Sequence, residues 1–323
     1  MARLSLRSNA RLLDWFYGAK PPERGAIVLG HRRVYIVPSR LGLYFGGVLL
    51  ILLVGSINYA LSLGFALTFL LAGLGIAGMV QTTRSLAGLA VHAGRAEPAF
   101  AGEPAQFRLV LANAADFDRP EIMVRHLASG AQCRVDVGAA TTAEAVLAVP
   151  AGRRGWQPLG RVMLESRFPL GLFRAWSYVQ PDSRCLVYPR PEHGALPPPA
   201  PSAQAGGARA HAQGSDDFSG LRAYQPADSP RHVAWKSAAR SDEMLTKQFA
   251  GEAVAELWLE LRDLPASLGL EARLSRLAGW VLAAERGGAH YGLRIPGTEL
   301  APARGEAHRT ACLEALALYK AER

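Results

Sequence analysis

The chain has 323 residues, half of them hydrophobic and a fifth charged, which excludes wholesale disorder and allows two ordinary domains plus an appendage. The formal net charge is +9, but the first 40 residues alone hold eight basic side chains (Arg3, Arg7, Arg11, Lys20, Arg24, Arg32, Arg33, Arg40) against Asp14 and Glu23. Everything after Arg40 is nearly neutral, so no basic surface for nucleic acid is indicated. Three widely spaced cysteines, Cys133, Cys185 and Cys312, exclude a disulfide framework and a compact cysteine metal site, and they suit a reducing compartment.

In chain order, the first seventeen residues place Arg3, Arg7 and Arg11 on one helical face, with Leu6, Leu12, Leu13, Phe16 and Tyr17 broadly opposite. Two readings stand: an interfacial helix on anionic lipid, or a basic tail that only sets topology. From Leu41 to Val80 there is no charged residue. One crossing of roughly 30 Å of hydrocarbon takes about 20 apolar residues, so a run of this length predicts two crossings. Gly55-Ser56-Ile57-Asn58-Tyr59 supplies the break, which places helices at about 41–56 and 61–81. Gly46, Gly47, Gly73, Gly75 and Gly78 are expected to let the two backbones approach closely. The basic flank before Leu41, with Arg84 and Arg95 after the hairpin, places both ends in the cytoplasm by the positive-inside rule.

Between about Leu86 and Pro191 the pattern is that of short strands. Phe107, Leu109 and Leu111 alternate with Arg108 and Val110, Ile122 and Val124 flank Met123, and Cys133, Val135 and Val137 repeat the period. Further runs fall at 144–149, 160–165 and 183–188, with turn residues between them. Six or seven strands at this spacing predict an immunoglobulin-like β-sandwich. Arg153-Arg154-Gly155-Trp156 and Phe168-Pro169-Leu170-Gly171-Leu172-Phe173 stand out as strings, and both are read as turns with apolar plugs rather than as chemistry.

Residues 191–213 are a Pro/Ala/Gly-rich linker. The segment 214–249 is the densest in the chain. Asp228 or Ser229 caps a helix, Pro230 fits its first turn, and the helix runs to about Arg240. His232, Lys236 and Arg240 form a basic stripe, with Arg231 and Trp235 beside it. Arg222, Arg231, Lys236 and Arg240 build either an anion- or partner-binding face or an Arg–Asp network that ties the segment to its neighbours. Beyond it, Ala255–Leu261, Leu270–Val281, His290–Ile295 and Ala307–Lys320 read as β-α-β-α, the order of a parallel α/β layer. No phosphate loop, HExxH, CxxC or Gly-x-Ser-x-Gly occurs, so no catalytic, cofactor or metal residue is assigned. A histidine paired with Cys185 or Ser215 is the one nucleophilic arrangement left open.

Gly214, Phe218, Gly220, Leu221, Arg222 and Tyr224, followed by Asp228, Arg231, Trp235, Lys236, Ala239 and Arg240, resemble the signature of the bacterial family called domain of unknown function 58. The paired apolar helices with Asn58 at their turn and the Phe-Pro-x-Gly-Leu-Phe element agree in order, so the resemblance covers nearly the whole chain. It implies a C-terminal part like a von Willebrand factor A domain, a MoxR-type AAA+ ATPase as partner, and a transglutaminase-like membrane protein as associate. Here Asp263 is followed by Leu264 and Pro265 with no hydroxyl ligand, so a metal-dependent adhesion site is not expected. The segment 214–323 is also short for such a domain, and an abridged layer is expected.

The expected architecture is therefore a membrane-anchored α+β protein. It comprises a basic cytoplasmic segment (1–40), a transmembrane helical hairpin (41–83), a β-sandwich (84–190), the linker (191–213) and the signature segment with an α/β layer (214–323). The expected role is a two-pass inner-membrane, cytoplasm-facing adaptor that binds the ATPase through Arg222, Tyr224, Asp228, Arg231, Trp235, Lys236 and Arg240. The alternatives are a membrane-face hydrolase built on Ser215, His232 and Asp228, or a module that binds anionic lipid or phosphate through the basic signature helix.

Overall fold

A computed structural model describes residues 21–192, 194, 218–223, 245–249, 257–265 and 267–320. The protein is mixed α+β, with four α-helices and several antiparallel sheets among the described residues. Its contacts divide it into a first unit (Met1–Glu192, Leu270–Gly279 and Leu313–Arg323) and a second (His193–Gly269 and Trp280–Cys312).

The first unit opens with β1 (Ile27–Val28) and β2 (Tyr35–Pro38), then α1 (Arg40–Asn58) and α2 (Ser62–Leu86). Strands β3 (Ala90–Ala96), β4 (Ala99–Phe100), β5 (Pro104–Ala112), β6 (Arg119–His126), β7 (Gln132–Val137) and β8 (Thr142–Pro150) follow. They are succeeded by β9 (Gly155–Pro158), β10 (Val162–Ser166), β11 (Phe173–Val179) and β12 (Arg184–Tyr188). Three sheets result, with orders β1-β3-β5-β8, β2-β11-β10-β6-β7 and β4-β12-β9.

The period-2 pattern explains the core. Phe107, Leu109 and Leu111 of β5 face inward with Ala145, Leu147 and Val149 of β8, and they meet Ile122, Val124, Val162, Leu164 and Ala175 from the five-stranded sheet in one cluster. The segment before the hairpin, legible in sequence only as a basic stretch, supplies one edge strand to each of the two larger sheets. Ile27 pairs with Val91, and Tyr35 pairs with Trp176. Runs of two and four residues carry no usable period by themselves.

Both apolar helices are long and apolar enough to cross a membrane, and most of their apolar side chains point outward. Asn58 ends α1 at the turn. Of the five glycines expected at the helix seam only Gly75 lies against the partner helix, where a Cβ would stand 3.2 Å from the Phe45 ring. Gly46, Gly47 and Gly73 face open space, and the close seam contact lies at Gly64, where a Cβ would fall 2.3 Å from Ser56 Oγ. The helix α2 also runs past the expected end near residue 81 to Leu86, and Thr82, Ser85 and Leu86 are buried in the first unit. The charge of Arg84 does not stop the helix, because the soluble unit receives its last turn.

In the second unit β13 (Phe218–Ala223) pairs antiparallel with β14 (Leu245–Phe249). Strand β15 (Leu257–Glu260) lies parallel to β16 (Tyr291–Ile295), and β17 (Thr298–Ala303) returns antiparallel to it. The helix α3 (Leu270–Arg286), whose residues up to Gly279 count with the first unit, makes the crossover that a parallel pair requires, and α4 (Glu306–Leu318), whose residues from Leu313 also count with the first unit, closes the order. These match the expected strand, helix, strand and helix, and β17 is added by a tight turn at Gly297 (φ +85°).

Candidate functional site

Two sites are built by the first unit. The first is the joint between the hairpin and the sheets. The last carbonyls of a helix have no partner within it and carry the negative end of its dipole. Here a single buried guanidinium meets them: Arg119, 2% exposed at the start of β6, donates to the carbonyls of Arg84 (3.1 Å), Ser85 (3.1 Å) and Ala87 (2.8 Å). Its Nε donates to Asn113 Oδ1 at 2.7 Å, while the Asn113 amide donates to the carbonyls of Phe117 and Gly138, both at 2.8 Å. The Phe117 ring lies against both Arg119 (5.0 Å) and Arg84 (4.8 Å). Burial, and then the nearby charge of Arg84, lowers the Arg119 pKa, but a guanidinium keeps its proton in any accessible pH range. The carbonyls therefore hold a permanent cation, with no carboxylate recorded against it among the described residues.

The loop between β10 and β11 completes the joint. Ser39, the N-cap of α1, accepts from Gly42 N–H and donates from Oγ to the Gly171 carbonyl at 2.6 Å, while its N–H donates to the Leu172 carbonyl at 2.8 Å. Thr82 of α2 donates to the Phe168 carbonyl at 2.8 Å. The loop base is held by buried Glu165, which accepts from Arg167 (2.9 Å) and Arg174 (2.7 Å). Burial opposes the Glu165 charge, and hydrogen bonds and charge from Arg174 and Arg167 outweigh it, so its carboxyl sits below the usual range.

The second site is an open cleft of about 700 Å³, lined by Arg153, Arg154, Trp156, Arg190, Glu271 and Lys320 among others. Arg154 forms its floor, 6% exposed; it pairs with Glu271, donates to the Tyr319 carbonyl at 2.8 Å, and its buried Nε has no partner among the described residues. Arg153, Arg190 and Lys320 carry no ion pair among the described residues, so the lining holds four cations against one carboxylate. Trp156, 55% exposed, stands on β9, an edge strand of its sheet among the described residues. The chemistry of such a surface suits anionic groups by charge, with the tryptophan as an available aromatic anchor. The sequence reading set Arg153-Arg154-Gly155-Trp156 aside as a structural turn. Two arginines beside a tryptophan were the available signal, and only the fold shows that they line a cleft.

The β5–β8 ladder sets the distance between the two sites. Ala112 pairs with Thr142 at the end carrying Asn113 and the joint, and Pro104 pairs with Pro150 at the end carrying Gly152 and the cleft. The eight steps of roughly 3.4 Å between the nine residues of β5 separate the sites by about 27 Å along the strands.

Of the sequence-predicted site residues, Arg222 falls on β13, where its backbone pairs with Thr246. Tyr224, Asp228, Arg231, Trp235, Lys236 and Arg240 lie outside the described residues, as do Ser215, His232, the first seventeen residues and nearly all of the linker. Cys185 is buried and its Sγ donates to the Glu97 carbonyl (3.0 Å); burial pushes its pKa up, so it is not a thiolate. In the second unit Cys312 Sγ lies 3.5 Å from His308 Nε2. That nitrogen is 2.7 Å from the Tyr291 carbonyl and so carries its proton, while burial and then the charge of Glu285 push the thiol up to about 12. The pair is a packed structural contact, not a nucleophile with its base. Among the described residues no three His, Cys, Asp or Glu side chains converge on a metal position.

No protein-family model matches this chain, and neither a curated protein nor a solved structure is found similar to it.

Proposed function

We propose that the chain is a two-pass protein of the bacterial inner membrane, both termini cytoplasmic, that acts as an interaction platform of the domain of unknown function 58 type for a MoxR-type AAA+ ATPase. In this reading the sheets of the first unit are an immunoglobulin-like sandwich and those of the second an abridged von Willebrand A-like layer. A transglutaminase-like membrane protein belongs to the same assembly.

The observation that carries the reading is the basic cleft about 27 Å along the strands from the hairpin joint. Charge interactions in water fade over roughly 8 Å at physiological salt, so Arg153, Arg190 and Lys320, which carry no ion pair among the described residues, act on a cytoplasmic partner rather than on the headgroups of the membrane holding the hairpin. An exposed Trp among arginines is the composition of an interface hot spot. Both hairpin ends enter the same unit, which supports the two-pass topology, and the buried Arg119 bridge makes the attachment rigid.

The test is co-purification of the full chain from native membranes in mild detergent, with and without a non-hydrolysable ATP analogue. Wild type is compared with Arg231→Ala and with Arg153→Glu/Arg190→Glu, the fold being checked by circular dichroism. A nucleotide-dependent AAA+ ATPase that is lost from a folded variant supports the platform reading. Recovery of the folded wild-type protein alone in both nucleotide states overturns it.

A further inference from the structure

The Phe168–Leu172 loop is bound to both apolar helices at one level, and that level is set by helix length. The 25 residues of α2 span about 37 Å, some 7 Å more than the hydrocarbon needs, and its last five residues, Thr82 to Leu86, are largely buried in the soluble unit. Hydrocarbon measured from Ser62 therefore ends near Gln81, and Gly78 lies about one helical turn inside it. The Leu170 side chain meets α2 there, its Cδ1 3.1 Å from where a Gly78 Cβ would stand, while Met79 and Val80 beside Gly78 are exposed and apolar. On the other side Gly42, two residues into α1, comes so close to the loop that its Cβ would fall 2.0 Å from the Leu172 carbonyl oxygen. Leu170 is 40% exposed, Pro169 is exposed and Phe168 is half-buried, an apolar tip continuous with the outer surface of the hairpin. The charges flanking it, Arg167 and exposed Arg40, stand where headgroup phosphates would lie.

We infer that the Phe168–Leu172 loop of the soluble unit is a third membrane element, its Pro169–Leu170 tip buried in the lipid bilayer at the edge of the hydrocarbon beside Gly78. This rests on the reading of α1 and α2 as membrane-spanning. A hairpin rigidly joined to a soluble unit can still tilt with it as one body in the bilayer, whereas a wedge displaced to one side of both helices resists that tilt. The loop thereby holds the long axis of the sheets, and the cleft at their far end, away from the membrane surface.

The experiment uses the full chain in nanodiscs of phosphatidylethanolamine and phosphatidylglycerol at three to one, in a Cys133→Ser background, since Cys185 and Cys312 are buried. A nitroxide is placed in turn at Leu170→Cys, at exposed Pro169→Cys, at Val80→Cys inside α2 and at Gly152→Cys beside the cleft. Collision with oxygen is compared with collision with a polar nickel chelate. The oxygen-to-nickel ratio at Leu170 and Pro169 is expected to match Val80 and to exceed Gly152 several-fold. A lipid-like ratio at Val80 with an aqueous ratio at both loop sites overturns the loop insertion alone. An aqueous ratio at Val80 overturns the membrane-spanning reading, and the loop proposal with it.

Discussion

Replacing Arg119 by Met tests the joint most directly. A buried ion pair can often be exchanged for apolar side chains at little net cost, because both charges leave together. Arg119 differs, since three of its four partners are main-chain carbonyls at the end of α2 that no side-chain substitution removes. Methionine fills part of the volume and leaves those oxygens and Asn113 Oδ1 without a donor. Hydrogen bonds to a charged donor contribute roughly 1.5–3 kcal/mol each and share one guanidinium here, so the four together give an expected loss of about 4 kcal/mol. A domain stable by about 5–15 kcal/mol would survive at a much lower denaturation midpoint. Arg119→Lys keeps the charge but cannot reach several acceptors as a planar fork does, and about 2 kcal/mol should be lost. Urea titration of the full chain in nanodiscs, followed by the Trp176 environment that Tyr35 and Arg174 enclose, reports this unit. Hydrogen exchange at the amides of Gly88 and Leu89, which donate to the carbonyls of Leu29 and Leu86, should accelerate selectively in the Met variant. A Met variant within about 0.5 kcal/mol of wild type, with unchanged exchange there, refutes the argument that the guanidinium holds the helix end.

Two further outcomes follow from local geometry. Gly42→Ala drives a methyl group into the Leu172 carbonyl, a backbone atom, and should lower stability by about 2 kcal/mol or more, whereas Gly47→Ala faces open space and should lower nothing; equal urea midpoints for the two variants would discard the close approach. His126 is held neutral, its Nδ1 accepting from Ser129 N–H, and burial lowers its pKa below the ordinary 6.5 despite a hydrogen bond to Leu159. The unfolded chain then binds more protons below that value, so stability is full above about pH 7 and should decline as pH falls through 6.5 toward the folded pKa. His126→Gln should flatten this part of the profile, and an unchanged slope between pH 7.5 and 5.5 would assign it to another group.

Much of the first unit was readable from the order of residues. The charge-free run marked two helices because it is long and apolar enough for two crossings, and the alternation in β5, β6 and β7 marked strands because one face had to be buried. The candidate sites were less legible. The sequence pointed to Arg222, Tyr224, Asp228, Arg231, Trp235, Lys236 and Arg240, of which only Arg222 falls among the described residues. Arg119 looked like one more arginine at a strand start, because a cation that serves carbonyls of a helix ending 33 residues earlier leaves no pattern near itself. Arg153 and Trp156 had a visible local string, but nothing local distinguishes a solvent-facing turn from the wall of a cleft.

The sequence by itself therefore determined what each segment must avoid: 40 residues that cannot stay in water without cover, and strands whose alternate side chains cannot face it. Those are one-dimensional consequences of solvation, written into composition and period. Tertiary structure decided where the segments meet. Pairing of β2 with β11, and the lodging of the Phe168–Leu172 loop between Gly42 and Gly78, depend on contacts across more than 90 residues of chain. So do the Arg119 bridge and the gathering of Arg153, Arg190 and Lys320 around one cleft, across shorter and longer spans alike. Such contacts are selected by the fit of finished surfaces, and neighbouring residues carry no trace of them.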